Sequence, residues 1–264
     1  MDLFKARDLM VGAILEAGLI ALRFFKAGNI NQSLKPDQSP VTAADLALEA
    51  FLRGRLTSFR PDIGWLSEER PDSSHRLSCR RVWIVDPIDG TRSFVAGTDE
   101  WTISLALVED GRPVAAVLFR PATDDLYDAV LGGGSSLNGQ RLSVSDGSLE
   151  SVRAFTGPKK VMQEAAADMP EAVWIRSSSS LALRLALLAT GAIDTALVKA
   201  GARDWDIAAA DLILSEAGGY LTTTDGARLV YNGLSVSRPA LIGAGPRRHA
   251  AFVSAFRAGI LHFE

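Results

Sequence analysis

Cysteine is nearly absent. Cys79 is the only one, which excludes an intramolecular disulfide framework and a thiolate zinc cluster and suits a reducing cytoplasm. It also lacks the surrounding phosphate loop that a cysteine-dependent phosphatase requires. Histidine is almost as scarce: His75, His249 and His262 stand in polar or terminal stretches with no serine elbow nearby, and they read as surface residues. Basic excess is missing too. Twenty-eight Lys and Arg face 31 Asp and Glu, a net charge of −3, so no cationic face for nucleic acid is expected. The one dense basic pair near the acidic stretch around Asp86, Arg80-Arg81, reads as a solvated strand entrance. No apolar run is long and uncharged enough to span a bilayer. Leu3 to Lys26 is apolar at helical spacing but carries Glu16 and no small-residue cleavage pattern after it, as in an amphipathic core helix rather than a signal peptide. Gly132-Gly133-Gly134 has neither the Lys-Ser/Thr of a P-loop nor a helix behind it, and reads as a loop.

What is present is apolar mass, 47% of residues, enough for a large core if strands and helices alternate in layers. Helices are expected over Asp2 to Lys26, Ala43 to Phe59, Val161 to Met169, Leu181 to Thr190 and from Trp205 to Glu216, the last closed by Gly218-Gly219. Strands are expected over Trp101 to Val108, Pro113 to Phe119, Tyr127 to Leu131, near Ala154, Ala172 to Arg176 and Ile193 to Val198. Glu109 to Arg112 and Asn138-Gly139 mark hairpin turns. The antiparallel meander gives way to α/β alternation near Ser145 to Val152, which divides the chain into an N-terminal α+β subdomain (1–148) and a C-terminal α/β subdomain (149–264).

The most informative stretch is Trp83-Ile84-Val85-Asp86-Pro87-Ile88-Asp89-Gly90-Thr91. Val82 to Val85 reads as a buried strand that stops at Asp86-Pro87, because proline cannot donate to a ladder. Asp86 and Asp89 then stand at the strand exit, ahead of a short helix opening after Thr91. Carboxylates beside a helix N-terminus suit Mg²⁺ and a phosphate group together; the alternative is that they merely cap and turn the chain. Further acidic positions lie far off: Asp45 before a helical pattern, Glu68-Glu69 after a short apolar segment, and Asp206 in Asp204-Trp205-Asp206. Carboxylates about 4 Å apart repel by roughly 4 kcal/mol at an effective dielectric of about 20, so gathering them makes sense around a cation.

An early Asp45, Glu68-Glu69, Asp86 to Thr91, Trp205-Asp206 and Gly218-Gly219, in this order and spacing, resemble the inositol monophosphatase family of Mg²⁺-dependent, lithium-sensitive phosphatases. The resemblance covers nearly the whole chain. It implies a layered α-β-α-β-α sandwich of the inositol monophosphatase and fructose-1,6-bisphosphatase type, and a homodimer. It implies that Asp86 bridges two Mg²⁺ ions, that Glu68 and the Ile88 carbonyl complete the first and Asp89 and Asp206 the second, and that a weaker third ion lies near Glu68. Thr91, leaning on Asp45, would orient the attacking water, and the Gly90 and Thr91 N–H groups would hold the phosphate.

The substrate region departs from inositol-selective relatives. Ser179-Ser180-Leu181 replaces a Gly-Thr-Ala-like stretch, and Lys199 stands where those relatives carry a glutamate. A cation there favours a second anionic group on the substrate, and Ser180 to Arg184 resembles the bacterial 3′(2′),5′-bisphosphate nucleotidase branch. Lys199 pointing to solvent is an equal alternative. The expected activity is hydrolysis of a small phosphorylated metabolite, first a bisphosphorylated nucleoside, then inositol monophosphate or a range of sugar phosphates. A non-enzymatic regulatory partner protein is the remaining reading.

Overall fold

The computed structural model describes residues 2–27, 32–34, 40–165 and 167–262. Its helices are α1 (Leu3–Ala27), α2 (Ala43–Phe59), α3 (Thr91–Val95), α4 (Lys159–Glu164), α5 (Leu181–Ala189), α6 (Asp204–Glu216) and α7 (Pro246–Arg257). Among the described residues, no helix is long and apolar enough to cross a membrane.

A short ribbon pairs β1 (Gln32–Leu34) with β2 (Pro40–Thr42). The large sheet has seven strands in sequence order: β3 (Gly64–Ser67), β4 (Arg81–Asp89), β5 (Thr102–Glu109), β6 (Arg112–Arg120), β7 (Asp125–Val130), β8 (Gly134–Leu137) and β9 (Gln140–Arg141). β3 runs parallel to β4 and the rest is an antiparallel meander. The second sheet comprises β10 (Ala154–Thr156), β11 (Val173–Trp174), β12 (Thr195–Val198), β13 (Tyr220–Thr223) and β14 (Leu241–Ala244), in the order β11-β10-β12-β14-β13.

Strand alternation assigns the layers. On β4, Trp83 and Val85 face one core with Met10, Ile14, Leu48 and Leu52 of α1 and α2. Val82 and Ile84 face the other, with Leu185, Leu188, Ile207 and Ile213 of α5 and α6. That central core also takes Ala196, Val198 and Leu241 from the second sheet. The outer face of this sheet, Phe155, Leu197 and Ile242, is covered by Phe252 and Val253 of α7. The result is the expected five-layer α-β-α-β-α sandwich.

Three local expectations need correction. β4 does not stop at Asp86-Pro87 but continues to Asp89. The register slips from Asp86↔Ser104 to Asp89↔Thr102, an extra residue on β4, and Pro87 sits within this bulge, where a missing N–H is tolerated. The helix expected over Val161 to Met169 ends at Glu164 and passes into turns, although Val161, Ala165 and Met169 keep one buried face. The pairing expected over Ala172 to Arg176 shrinks to Val173–Trp174 on a sheet edge. β13, β14 and α7 were not foreseen, because polar and glycine-rich chain separates them and each strand has only four residues. Nor is His249 on the surface: it is buried against Thr222 Oγ1 at 2.7 Å, and burial pushes its pKa down. His75 and His262 are exposed.

Candidate active site

Successive strand residues point to opposite faces, so Asp86 and Asp89, three apart, would diverge on a regular strand. The bulge adds the residue that brings them to one side. Asp206 arrives from the first turn of α6, and the three carboxylates each present an oxygen within 4.8 Å of the others. They line a cavity of about 210 Å³ with Glu68, Ile88, Gly90, Thr91, Arg92 and Ser179.

Each of the three carboxylates has one oxygen anchored. Asp86 Oδ1 accepts from Ile88 N at 3.0 Å. Asp89 Oδ2 accepts from the Ser180 hydroxyl and from Ala182 N, both at 2.7 Å. Asp206 Oδ2 accepts from Arg203 N at 2.7 Å in a capping arrangement at the start of α6. That helix end is itself pinned by buried Asp204, which accepts from Arg238 Nε at 2.6 Å and from Asn232 N at 3.0 Å. Glu68 is positioned by the parallel β3–β4 pair, its N–H donating to Val85 O at 3.3 Å. Glu69 lies outside the cavity lining.

The electrostatics favour a cation. Burial pushes the Asp86 pKa well above the ordinary carboxylate range, helped by Glu68, Asp89, Asp206 and Asp45. Asp206 is pushed well up by burial and by Asp89. Asp89 rises to about 6, again through burial, even though its bonds to Ser180 and Ala182 oppose the shift. Two unit charges 4.8 Å apart repel by roughly 3.5 kcal/mol at an effective dielectric of about 20. The donor set is all oxygen, without thiol or imidazole, as a hard divalent cation such as Mg²⁺ demands. The residues present therefore fit the implied ion.

Thr91 opens α3, and its hydroxyl lies 3.0 Å from the Ile88 carbonyl and 3.5 Å from Asp45 Oδ1. Asp45 is buried and does double duty. Its Oδ2 accepts from Thr42 N (2.7 Å) and Thr42 Oγ1 (2.6 Å) in the capping box of α2. Gly90 holds φ +93°, and a Cβ there would stand 2.7 Å from the Glu100 carbonyl oxygen, so glycine alone lets the chain turn here beside the cavity.

Of the expected substrate residues Ser180 and Lys199, one is turned away from the acidic cavity and the other lines a separate one. Ser180 is fully buried, caps α5 through Leu183 N and holds Asp89, so it does not face the cavity; its neighbour Ser179 does. Lys199 lies on a neighbouring cavity of about 360 Å³, with Gly157, Pro158, Ser177, Leu181, Arg184, Leu197, Val198 and Ala202. Arg92 was missed, whereas Ser179 and Arg184 entered only as members of the segments 177–180 and 180–184, the first read as capping and substrate contact. The basic residue directly after Asp-Gly-Thr was the available signal for Arg92, and the serine run for Ser179. The Gly132–Gly134 loop receives a carboxylate rather than a phosphate: Gly132 N and Gly134 N donate to Glu216 at 2.9 and 2.8 Å.

The model of the inositol monophosphatase family matches residues 5–260. An inositol-1-monophosphatase of Rhizobium meliloti is 37% identical over 229 residues, 83% of this chain and 85% of that protein. A 3′(2′),5′-bisphosphate nucleotidase, CysQ, of Aggregatibacter actinomycetemcomitans is 30% identical over 222 residues, 80% and 82% of the two chains. The crystal structure of extragenic suppressor protein suhB from Bartonella henselae superposes with a TM-score of 0.84 at 28% identity, covering 97% of this chain and 99% of that one.

Proposed function

The chain belongs to the inositol monophosphatase family of metal-dependent phosphomonoesterases, and from this premise we propose how its residues divide the work. Asp86, Asp89 and Asp206, with Glu68 and the Ile88 carbonyl, would hold two or three Mg²⁺ ions. The observation that carries this reading is the convergence of three carboxylates within 4.8 Å from two distant segments. Bound there, Mg²⁺ would supply charge neutralisation for the ester and acidify the attacking water.

Thr91 orients that water. Its hydroxyl proton points to the Ile88 carbonyl or to Asp45, which leaves its oxygen lone pairs to accept from water. A proton taken from the water passes through Thr91 to the Asp45 carboxylate, whose second oxygen is fixed by Thr42. Gly90 and Thr91 present the unpaired N–H groups of a helix start to the phosphate oxygens.

For the substrate, a bisphosphorylated nucleoside is our first reading, because cationic Lys199 lines a cavity next to the acidic one. Inositol 1-phosphate is the second, supported by the somewhat higher identity to an inositol-1-monophosphatase than to the nucleotidase. Phosphate release with Mg²⁺ from 3′-phosphoadenosine 5′-phosphate, inositol 1-phosphate, fructose 1,6-bisphosphate and histidinol phosphate tests both. Turnover of none of them would overturn the reading, and Thr91→Ala should lower kcat by ~10²–10⁴-fold with the Mg²⁺ requirement unchanged.

A further inference from the structure

Arg184 carries a charge that the fold leaves without a counterpart. It projects from α5, and its Nε is buried with no hydrogen-bond partner. Among the described residues its guanidinium makes neither a hydrogen bond nor an ion pair. Burial lowers its pKa, with only the field of Asp89 opposing. Asp89 cannot serve as the missing partner, since one of its oxygens is taken by Ser180 and Ala182 and the other joins the acidic cluster. Guanidinium cannot escape by losing its proton; the Arg184 side chain is half-buried, and leaving its buried Nε unpaired is costly. It is tolerable where an anion comes to it.

The place for that anion is visible. Arg184 lines the 360 Å³ cavity, whose other cation is exposed Lys199 and whose walls include Leu181, Leu197 and Val198. The segment 177–184 runs between the two cavities: Ser179 faces the acidic one, while Ser177, Leu181 and Arg184 face the cationic one. A molecule whose ester phosphate lies at the carboxylate cluster thus has its remainder within reach of a planar fork of N–H donors, the geometry that matches an oxyanion with two parallel bonds.

We propose that this second cavity is a specificity pocket in which Arg184, assisted by Lys199 at its mouth, binds a second oxyanion of the substrate. The proposal rests on the phosphatase reading above for its location but not for its test. The second oxyanion is a phosphate or a carboxylate, the two groups that accept a bidentate guanidinium. A simpler role for Arg184, in which its aliphatic stem merely fills space between Leu181 and Leu197, predicts no dependence on substrate charge.

Arg184→Met keeps the stem and removes the fork. Binding of adenosine 3′,5′-bisphosphate is measured by calorimetry with Mg²⁺ present in a Thr91→Ala background, where turnover is slowed, and adding Arg184→Met is expected to weaken it at least ~10-fold, in line with loss of a charged hydrogen bond. Equal affinity with and without Arg184→Met overturns the proposal, whatever the catalytic result. With Mg²⁺, kcat/KM is compared for adenosine 3′,5′-bisphosphate, 3-phosphoglycerate and inositol 1-phosphate. A selective loss on the first locates a phosphate in the pocket, a selective loss on the second a carboxylate, with inositol 1-phosphate changed less than ~3-fold. A uniform loss on all three, with lowered thermal stability, would mean that Arg184 is structural and sink the inference. Absence of turnover by the parent would refute the phosphatase reading alone, since the calorimetric comparison would still decide Arg184.

Discussion

Replacing a proposed metal ligand should make this protein more stable when no metal is present. Asp89 is buried and its folded pKa is raised from 3.8 to about 6. A raised carboxylate contributes stability that is complete below the unfolded value and is lost as the pH climbs through the folded one. At pH 8 the full penalty applies, and two units at ~1.36 kcal/mol each give about 3 kcal/mol. Asp89→Asn removes the charge yet keeps a side-chain oxygen to accept from Ser180 and Ala182. In EDTA at pH 8 the variant should therefore melt above the parent, by up to ~6 °C at ~2 °C per kcal/mol for a chain of this size.

Added Mg²⁺ should reverse the order. It raises the parent's Tm by mass action, ~2.7 kcal/mol at a hundredfold excess over Kd, and should leave the variant nearly unmoved. Phosphate release should drop at least ~10³-fold, because a lost ligand forfeits several kcal/mol of charge stabilisation in the transition state. Paired melting curves with EDTA and with Mg²⁺ decide the matter. A variant that melts at or below the parent in EDTA, or that keeps both its Mg²⁺ shift and its turnover, would refute the idea that the cost of the buried Asp89 charge is relieved by a cation.

Ser180→Ala removes the bond to Asp89 and the cap on Leu183 N. It should cost about 2–3 kcal/mol of stability and raise the Mg²⁺ concentration for half-maximal activity ~10–100-fold; an unchanged Mg²⁺ titration would leave Ser180 as a helix cap only. Gly90→Ala forces a side chain onto φ +93° and within 2.7 Å of the Glu100 carbonyl oxygen. The left-handed backbone alone costs about 1–2 kcal/mol, so Tm and activity should both fall, and an equally stable, fully active variant would show that the backbone gives way freely. Asp211 is pushed up to about 6 by burial, against the bond it accepts from the Tyr231 hydroxyl at 2.8 Å. It should therefore remove stability from the parent as pH rises from about 4 to about 6, and Asp211→Asn, compared by urea denaturation, should flatten that part of the profile.

The parts of the molecule that sequence makes plain are those specified locally. Helix α2 begins and ends where its Thr42–Asp45 capping box and apolar spacing place it. The Asn138-Gly139 turn adopts φ of 49° and 77°, the left-handed pair a tight hairpin needs. What was hidden depends on partners far along the chain. Arg76 looks like one more surface arginine, but it is buried against Asn232, 156 residues away, as well as against Asp72. His249 is drawn inside by Thr222 on a strand that no local pattern announces. Pro87 ends a strand by local rules, and only pairing with β5 reveals that the chain absorbs it in a bulge.

That bulge shows why the acidic positions were easier to find than to arrange. Three aspartates are visible in the sequence, but their convergence rests on main-chain donors: Ile88 N for Asp86, Ala182 N for Asp89 and Arg203 N for Asp206. Each N–H belongs to a different element, so the cluster exists only when the β4 bulge and the starts of α5 and α6 have all formed. Anchoring one oxygen of each carboxylate leaves the other committed to the cavity before any ion arrives, which lowers the ordering cost of binding. Transplanting the three aspartates onto another β-strand and helix pair, without the extra residue at Pro87 and the two helix starts, would send Asp86 and Asp89 to opposite faces of the sheet and produce no site.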